Sequence, residues 1–126
     1  MNVLETIEKL KIFLNRQING LAMTNPLISF SKPLITRVID NNMHKASGFL
    51  SMLADENGNI DMQSLIPEMI QSVMTTRPFV YHTEFLGDLE IGGGFIKMNI
   101  PMTNNQIVLG KTDLDTLKEL FTENRV

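Results

Sequence analysis

The chain has 126 residues, 43% hydrophobic and 20% charged, with a net charge of −3 and no cysteine. That length is enough for one domain, which can bury about two-thirds of the surface its unfolded chain exposes without covalent staples. Without cysteine there is no disulfide framework, no thiolate zinc site and no thiol nucleophile.

The eleven basic residues are spread from Lys9 to Arg125 and do not cluster. Neutralising a phosphate backbone needs a concentrated basic surface, and base stacking needs more aromatics than seven Phe and one Tyr supply. Nucleic acid is therefore not an expected partner. Charges at Glu5, Glu8, Lys9 and Lys11 interrupt the N-terminal stretch in the manner of no secretory signal. No uncharged apolar run reaches the roughly 18 to 20 residues that span a bilayer. The expectation is a cytoplasmic protein without a membrane partner.

Residues 3 to 22 carry Val3, Leu4, Ile7, Leu10, Leu14, Ile18 and Leu21 on one helical stripe, opposite Glu5, Glu8, Lys9 and Arg16. Ile12 falls among the charges, as a stray surface residue or an interface contact. Thr24-Asn25-Pro26 stops this helix, because a residue before proline is driven out of the α region. Ser31-Lys32-Pro33 then predicts a second helix over about 33 to 54, capped by Ser31, burying Ile35, Val38, Ile39, Ala46, Phe49, Leu50 and Leu53. Asn42 lies in that stripe. Either it is buried and hydrogen-bonded, or Asp40-Asn41-Asn42 breaks the segment into two shorter helices.

Asp55 to Asn59 is a turn, and Asp61 caps a third helix through Met62, Leu65, Ile66, Met69, Ile70, Val73 and Met74, with Pro67 as its kink or true start. From Phe79 the period changes to two. The segments 79–86, 89–91, 95–100 and 106–109, separated by Gly87-Asp88, Gly92-Gly93-Gly94 and 101–105, predict a β-meander. A closing helix follows over about 113 to 122, capped at Thr112 and carrying Leu114, Leu117, Leu120 and Phe121. The expected fold is α+β in a single domain, 1–126. Three N-terminal helices fill about 3–76, a three- to four-stranded antiparallel meander fills about 79–110, and a short C-terminal helix ends the chain.

Motifs that look chemical have plainer uses. Asp55, Asn57, Asn59 and Asp61 imitate the start of a calcium loop, but Ile60 stands where that loop needs glycine and Ile66 where it needs glutamate, so no metal site is expected. Gly92-Gly93-Gly94 leads into a strand, not a helix N-terminus, and so is a hairpin turn and no phosphate cradle. His44 and His82 have no partners at ligand spacing, and Asp88, Glu90, Glu84, Asp113, Asp115 and Glu119 lie near turns or in a first helical turn, where water and the helix dipole favour them. No cofactor and no catalytic residue is nominated.

If Phe79, Tyr81, Phe85, Leu89, Ile91, Ile96, Met98, Ile100, Ile107 and Leu109 face the core, then Val80, Leu86, Phe95 and Val108 face outward among His82, Glu84, Lys97, Asn99 and Gln106. Either a helix covers that face or a partner docks on it. The sequence thus points to a non-enzymatic interaction or assembly module, a homo-oligomer with Ile12, Val80, His82, Phe95, Lys97 and Val108 as interface candidates. Its composition is compatible with a phage or bacterial accessory protein. The alternative is a small-ligand-binding or inhibitor-type protein, with an apolar pocket between helices and sheet lined by some of the nine methionines and by phenylalanine.

Overall fold

A computed structural model describes residues 1–122, which form five helices and four strands: α1 (Val3–Ala22), α2 (Pro26–Met43), α3 (Ala46–Leu53), α4 (Met62–Thr75), β1 (Phe79–Thr83), β2 (Gly87–Gly92), β3 (Phe95–Asn99), β4 (Gln106–Leu109) and α5 (Lys111–Thr122). The expected α+β succession of helices, meander and closing helix is what the chain adopts. The strands pair antiparallel in the order β1-β2-β3-β4.

The helical layer differs from expectation in the placement of its second and third members. Asn25 does not merely end α1; its Oδ1 accepts from the backbone N–H groups of Leu27 (3.1 Å) and Ile28 (3.3 Å) and makes it the N-cap of α2. Pro26 then occupies the first helical position, where its missing N–H costs nothing. The stretch 26–32, expected as loop, is helical, Ser31 is not a cap, and the helix runs through Pro33 at the cost of the bond that proline cannot donate. Asp40-Asn41-Asn42 does not interrupt it. The break comes at His44-Lys45, after which α3 begins, and Asn42 is half-buried near the end of α2. Replacing Asn25 with alanine orphans two N–H groups. It is expected to lower stability by about 1 kcal/mol, read as an earlier urea midpoint with an unchanged slope.

One buried cluster unites both layers. It takes Ile7, Phe13, Leu14 and Ile18 from α1, Ile28, Ile35, Ile39 and Met43 from α2, and Ile66, Ile70 and Val73 from α4. Ile96, Met98, Ile107 and Leu109 join it from the sheet, with Leu114, Leu117, Leu120 and Phe121 from α5. Leu4, expected on the buried stripe of α1, is exposed, and Phe13 is buried in its place. Helix α4 packs on β2 and β3, and α5 on β4. The first and last helices are tied by Lys9, whose Nζ donates to the Leu120 carbonyl (2.7 Å) and lies 5.9 Å from the Phe121 ring centroid. The start of α5 is capped from Gly110, not Thr112: the Gly110 N–H donates to Asp113 Oδ2 (3.0 Å), half of a capping box.

The glycine triplet locks sheet to helix. Gly93 and Gly94, both at positive φ, form the two-residue turn between β2 and β3. Their N–H groups donate to the Thr76 (2.8 Å) and Val73 (3.0 Å) carbonyls, so the hairpin turn also satisfies the C-terminal end of α4. The first hairpin turns earlier than its sequence suggests. Thr83 Oγ1 accepts from the Leu86 N–H (2.9 Å) and donates to the Gly87 carbonyl (2.8 Å), closing a turn over 84–86 and placing Gly87-Asp88 in β2.

Candidate functional site

The interface candidates read from the strands lie on the outer face of the sheet, and no helix among the described residues covers them. Val80, Phe95 and Val108 are about half exposed. The register sets Val80 opposite Glu90, Glu90 opposite Lys97 and Lys97 opposite Val108, so one rung crosses all four strands. Its centre is polar: Lys97 Nζ and Glu90 Oε2 approach to 3.5 Å between the two valines. Phe95 stands apart from that rung, against Gly110, where an added Cβ would meet its ring at 3.4 Å. His82 pairs with Asp88 on the next rung, both mostly exposed, which leaves this imidazole–carboxylate pair screened by water. Leu86 does not belong to the outer face, because the turn over 84–86 carries it inward with Phe85. Ile12 is exposed, on α1 in the other layer, and is not brought together with the sheet residues. The outer face is therefore mixed, with its apolar members separated by an ion pair.

On the inner side the sheet is buried only in part. Ile96, Met98, Ile107 and Leu109 are core residues, but Phe79 and Tyr81, expected beside them, are about half exposed. Among the described residues the helices pack mainly on β2, β3 and β4; β1 is an edge strand, approached at Tyr81–Thr83 by Lys45, Gly48 and Phe49.

Two further apolar features stand out. The first is on α2: Met23, at its end cap with α1, and Leu27, Phe30 and Leu34 are 86%, 58%, 87% and 55% exposed. The three on α2, Leu27, Phe30 and Leu34, are spaced 3-4, the interval at which side chains line one face of a helix and form a seam with a partner helix, while Met23 precedes the break at Asn25. The signal was in the sequence, hidden because 23–32 reads as loop once Pro26 is taken as a breaker. The second is a groove of about 380 Å³ between α1, α3, α4, α5 and the 84–86 turn, lined by apolar side chains from all of them. Phe49 and Leu53, expected in the core, are more than two-fifths exposed along its rim. Phe85 closes one end with its ring centroid 6.2 Å from that of Phe49, and Met62 and Met69 supply adaptable walls. A second cavity, of about 270 Å³, lies between α2 and the sheet and includes the polar Asn42, Asp88 and Asn99.

The calcium-like residues act as turn and cap acceptors. Asp55 Oδ1 accepts from the N–H groups of Asn57 (2.9 Å) and Asn59 (3.0 Å), and Asp61 caps α4 through Ser64 N–H (3.3 Å) and Oγ (2.7 Å). Millimolar calcium is expected to leave the melting temperature unchanged; a rise of several degrees would show that these oxygens are released to bind it.

Among the described residues no helix is long and apolar enough to cross a membrane. The chain matches no protein-family model, no characterised protein and no solved structure.

Proposed function

We propose that this protein is a non-enzymatic, self-associating interaction module that works in the cytoplasm. The supporting observation is the α2 stripe. Soluble single chains expose isolated apolar residues as a matter of course, but three large ones, Leu27, Phe30 and Leu34, in seam spacing on one helix form a contiguous patch of the kind that marks a contact site. Phe30, at 87% exposed, gains nothing from its own fold. The lack of cysteine agrees with a reducing compartment. Light scattering on the full chain over a dilution series tests the proposal. Its mass should exceed the single-chain 14.2 kDa and fall towards it on dilution. A constant single-chain mass up to millimolar concentration would overturn it.

The apolar groove supports a second reading, in which the chain binds a small apolar ligand. Its volume falls in the roughly 300–1,000 Å³ range of ligand pockets, but it offers almost no polar group to orient a small molecule.

A further inference from the structure

We propose that the free edge of β1 receives an extended polypeptide segment of another protein, which adds to the sheet as a further strand and seats one apolar side chain between α3 and β1. This goes beyond the self-association proposed above and uses a different surface. Alternate residues of an antiparallel strand aim their backbone groups at opposite neighbours. The two-residue turn makes Gly92 and Phe95 a hydrogen-bonded pair, and the Ile100 N–H, which donates to the Asn105 carbonyl (2.9 Å), keeps β3 in the same phase. Counted back through the register, Phe79, Tyr81 and Thr83 bond to β2, opposite Ile91, Leu89 and Gly87. The N–H and C=O groups of Val80 and His82 therefore face the free edge, and no backbone group among the described residues takes them.

Those groups say what covers them. Donors and acceptors at strand spacing are complemented by the backbone of another extended chain. The edge also lacks the devices that keep a strand from being paired: Phe79 to Thr83 contains no lysine, no acid and no proline, and Phe79, Val80 and Tyr81 are about half exposed. Beside it lies a cavity of about 250 Å³, lined by Gly48, Phe49, Tyr81 and Phe85 with Lys45 and Glu84. A guest strand added antiparallel, with its hydrogen-bonded residues opposite Val80 and His82, sets the residue between them opposite Tyr81, on the same side of the sheet and at this cavity. An apolar residue at that position fits, and it carries the specificity. A bare strand suits the edge better than a second copy does. Two copies paired about Tyr81 would bring both α3 helices, each with its Lys45, to one side of a junction where strands stand about 4.8 Å apart and helices need about 8–10 Å.

The probe is the peptide acetyl-Thr-Val-Leu-Val-Thr-amide, titrated calorimetrically into the full chain held below its own association midpoint. Binding should slow amide exchange at Val80 and His82 and leave Phe79, Tyr81 and Thr83 unchanged, an alternation that a side-chain contact alone would not produce. N-methylation of both peptide valines keeps the side chains and removes the donors; Val80→Pro removes an edge donor and no bond to β2. Each should weaken binding about tenfold or more, as should glycine in place of the peptide leucine. If Val80→Pro unfolds, the N-methylated peptide carries the comparison. No binding at millimolar peptide, equal binding of the N-methylated peptide, or slowing without alternation overturns the proposal. The same alternation appearing in the chain alone as its concentration rises would give the edge to a second copy and overturn it too.

Discussion

Replacing Phe30 and Leu34 together with glutamate is expected to leave the protein folded and to weaken its self-association by about a thousandfold. Burying one such side chain is worth roughly 1.5–3 kcal/mol, so the loss of two is about 3–6 kcal/mol, a range that includes the roughly 4 kcal/mol of a thousandfold change at 1.4 kcal/mol per tenfold in a dissociation constant. Burying a carboxylate at either position adds to that cost. Because both residues lie on the solvent side of α2, the circular-dichroism spectrum and the melting temperature of the dilute chain should hardly move. Equilibrium sedimentation reads the change directly. An unaltered association constant would show that the stripe takes no part in the contact.

The second large effect concerns stability and sits at Gly92. Its φ of +122° is one that residues with a side chain rarely adopt, and a Cβ there would lie 2.7 Å from the Arg77 carbonyl oxygen and 2.8 Å from that of Thr76. Both obstacles are backbone, and the same stretch receives the Gly93 N–H that caps the end of α4. Gly92→Ala cannot be accommodated by a rotamer change. It should cost about 3 kcal/mol, on the order of 12 °C in melting temperature for a chain of this length. Gly20→Ala, at an open helical position with nothing within 4 Å of the added carbon, should be neutral or slightly stabilising and controls for the general effect of the substitution. Equal melting temperatures for the two variants would contradict the role given to the glycine turn.

Much of the layer order was legible because it rests on local chemistry. The change of period near residue 78 marked the helices-to-sheet boundary, the Gly93-Gly94 turn was placed where it forms, and the buried Leu114, Leu117, Leu120 and Phe121 of α5 were read from spacing alone. The surfaces were less legible. Proline has two opposite meanings at a helix end, breaker behind and first residue ahead, and taking Pro26 as the former concealed the first turns of α2 with Leu27 and Phe30 on them. Alternation in β1 showed that Phe79 and Tyr81 share a face, but not that the packing would leave both about half exposed. Phe49 and Leu53 had the spacing of core residues, and only the separation of α3 from α4 leaves them on a groove rim. Each of these depends on long-range packing that periodicity does not encode. The outer sheet residues Val80, Phe95 and Val108 were read from alternation onto the face away from the core, with cover by a helix left open; they are about half exposed, and the Lys97–Glu90 pair separates the two valines.

The most direct test of the central claim is amide hydrogen exchange of the wild-type chain, compared at concentrations below and above its association midpoint. Association through the α2 stripe predicts added protection in peptides covering 26–38, with the strands unchanged. Protection that grows only in the strands between 79 and 109, or in no peptide while the mass rises, would contradict it.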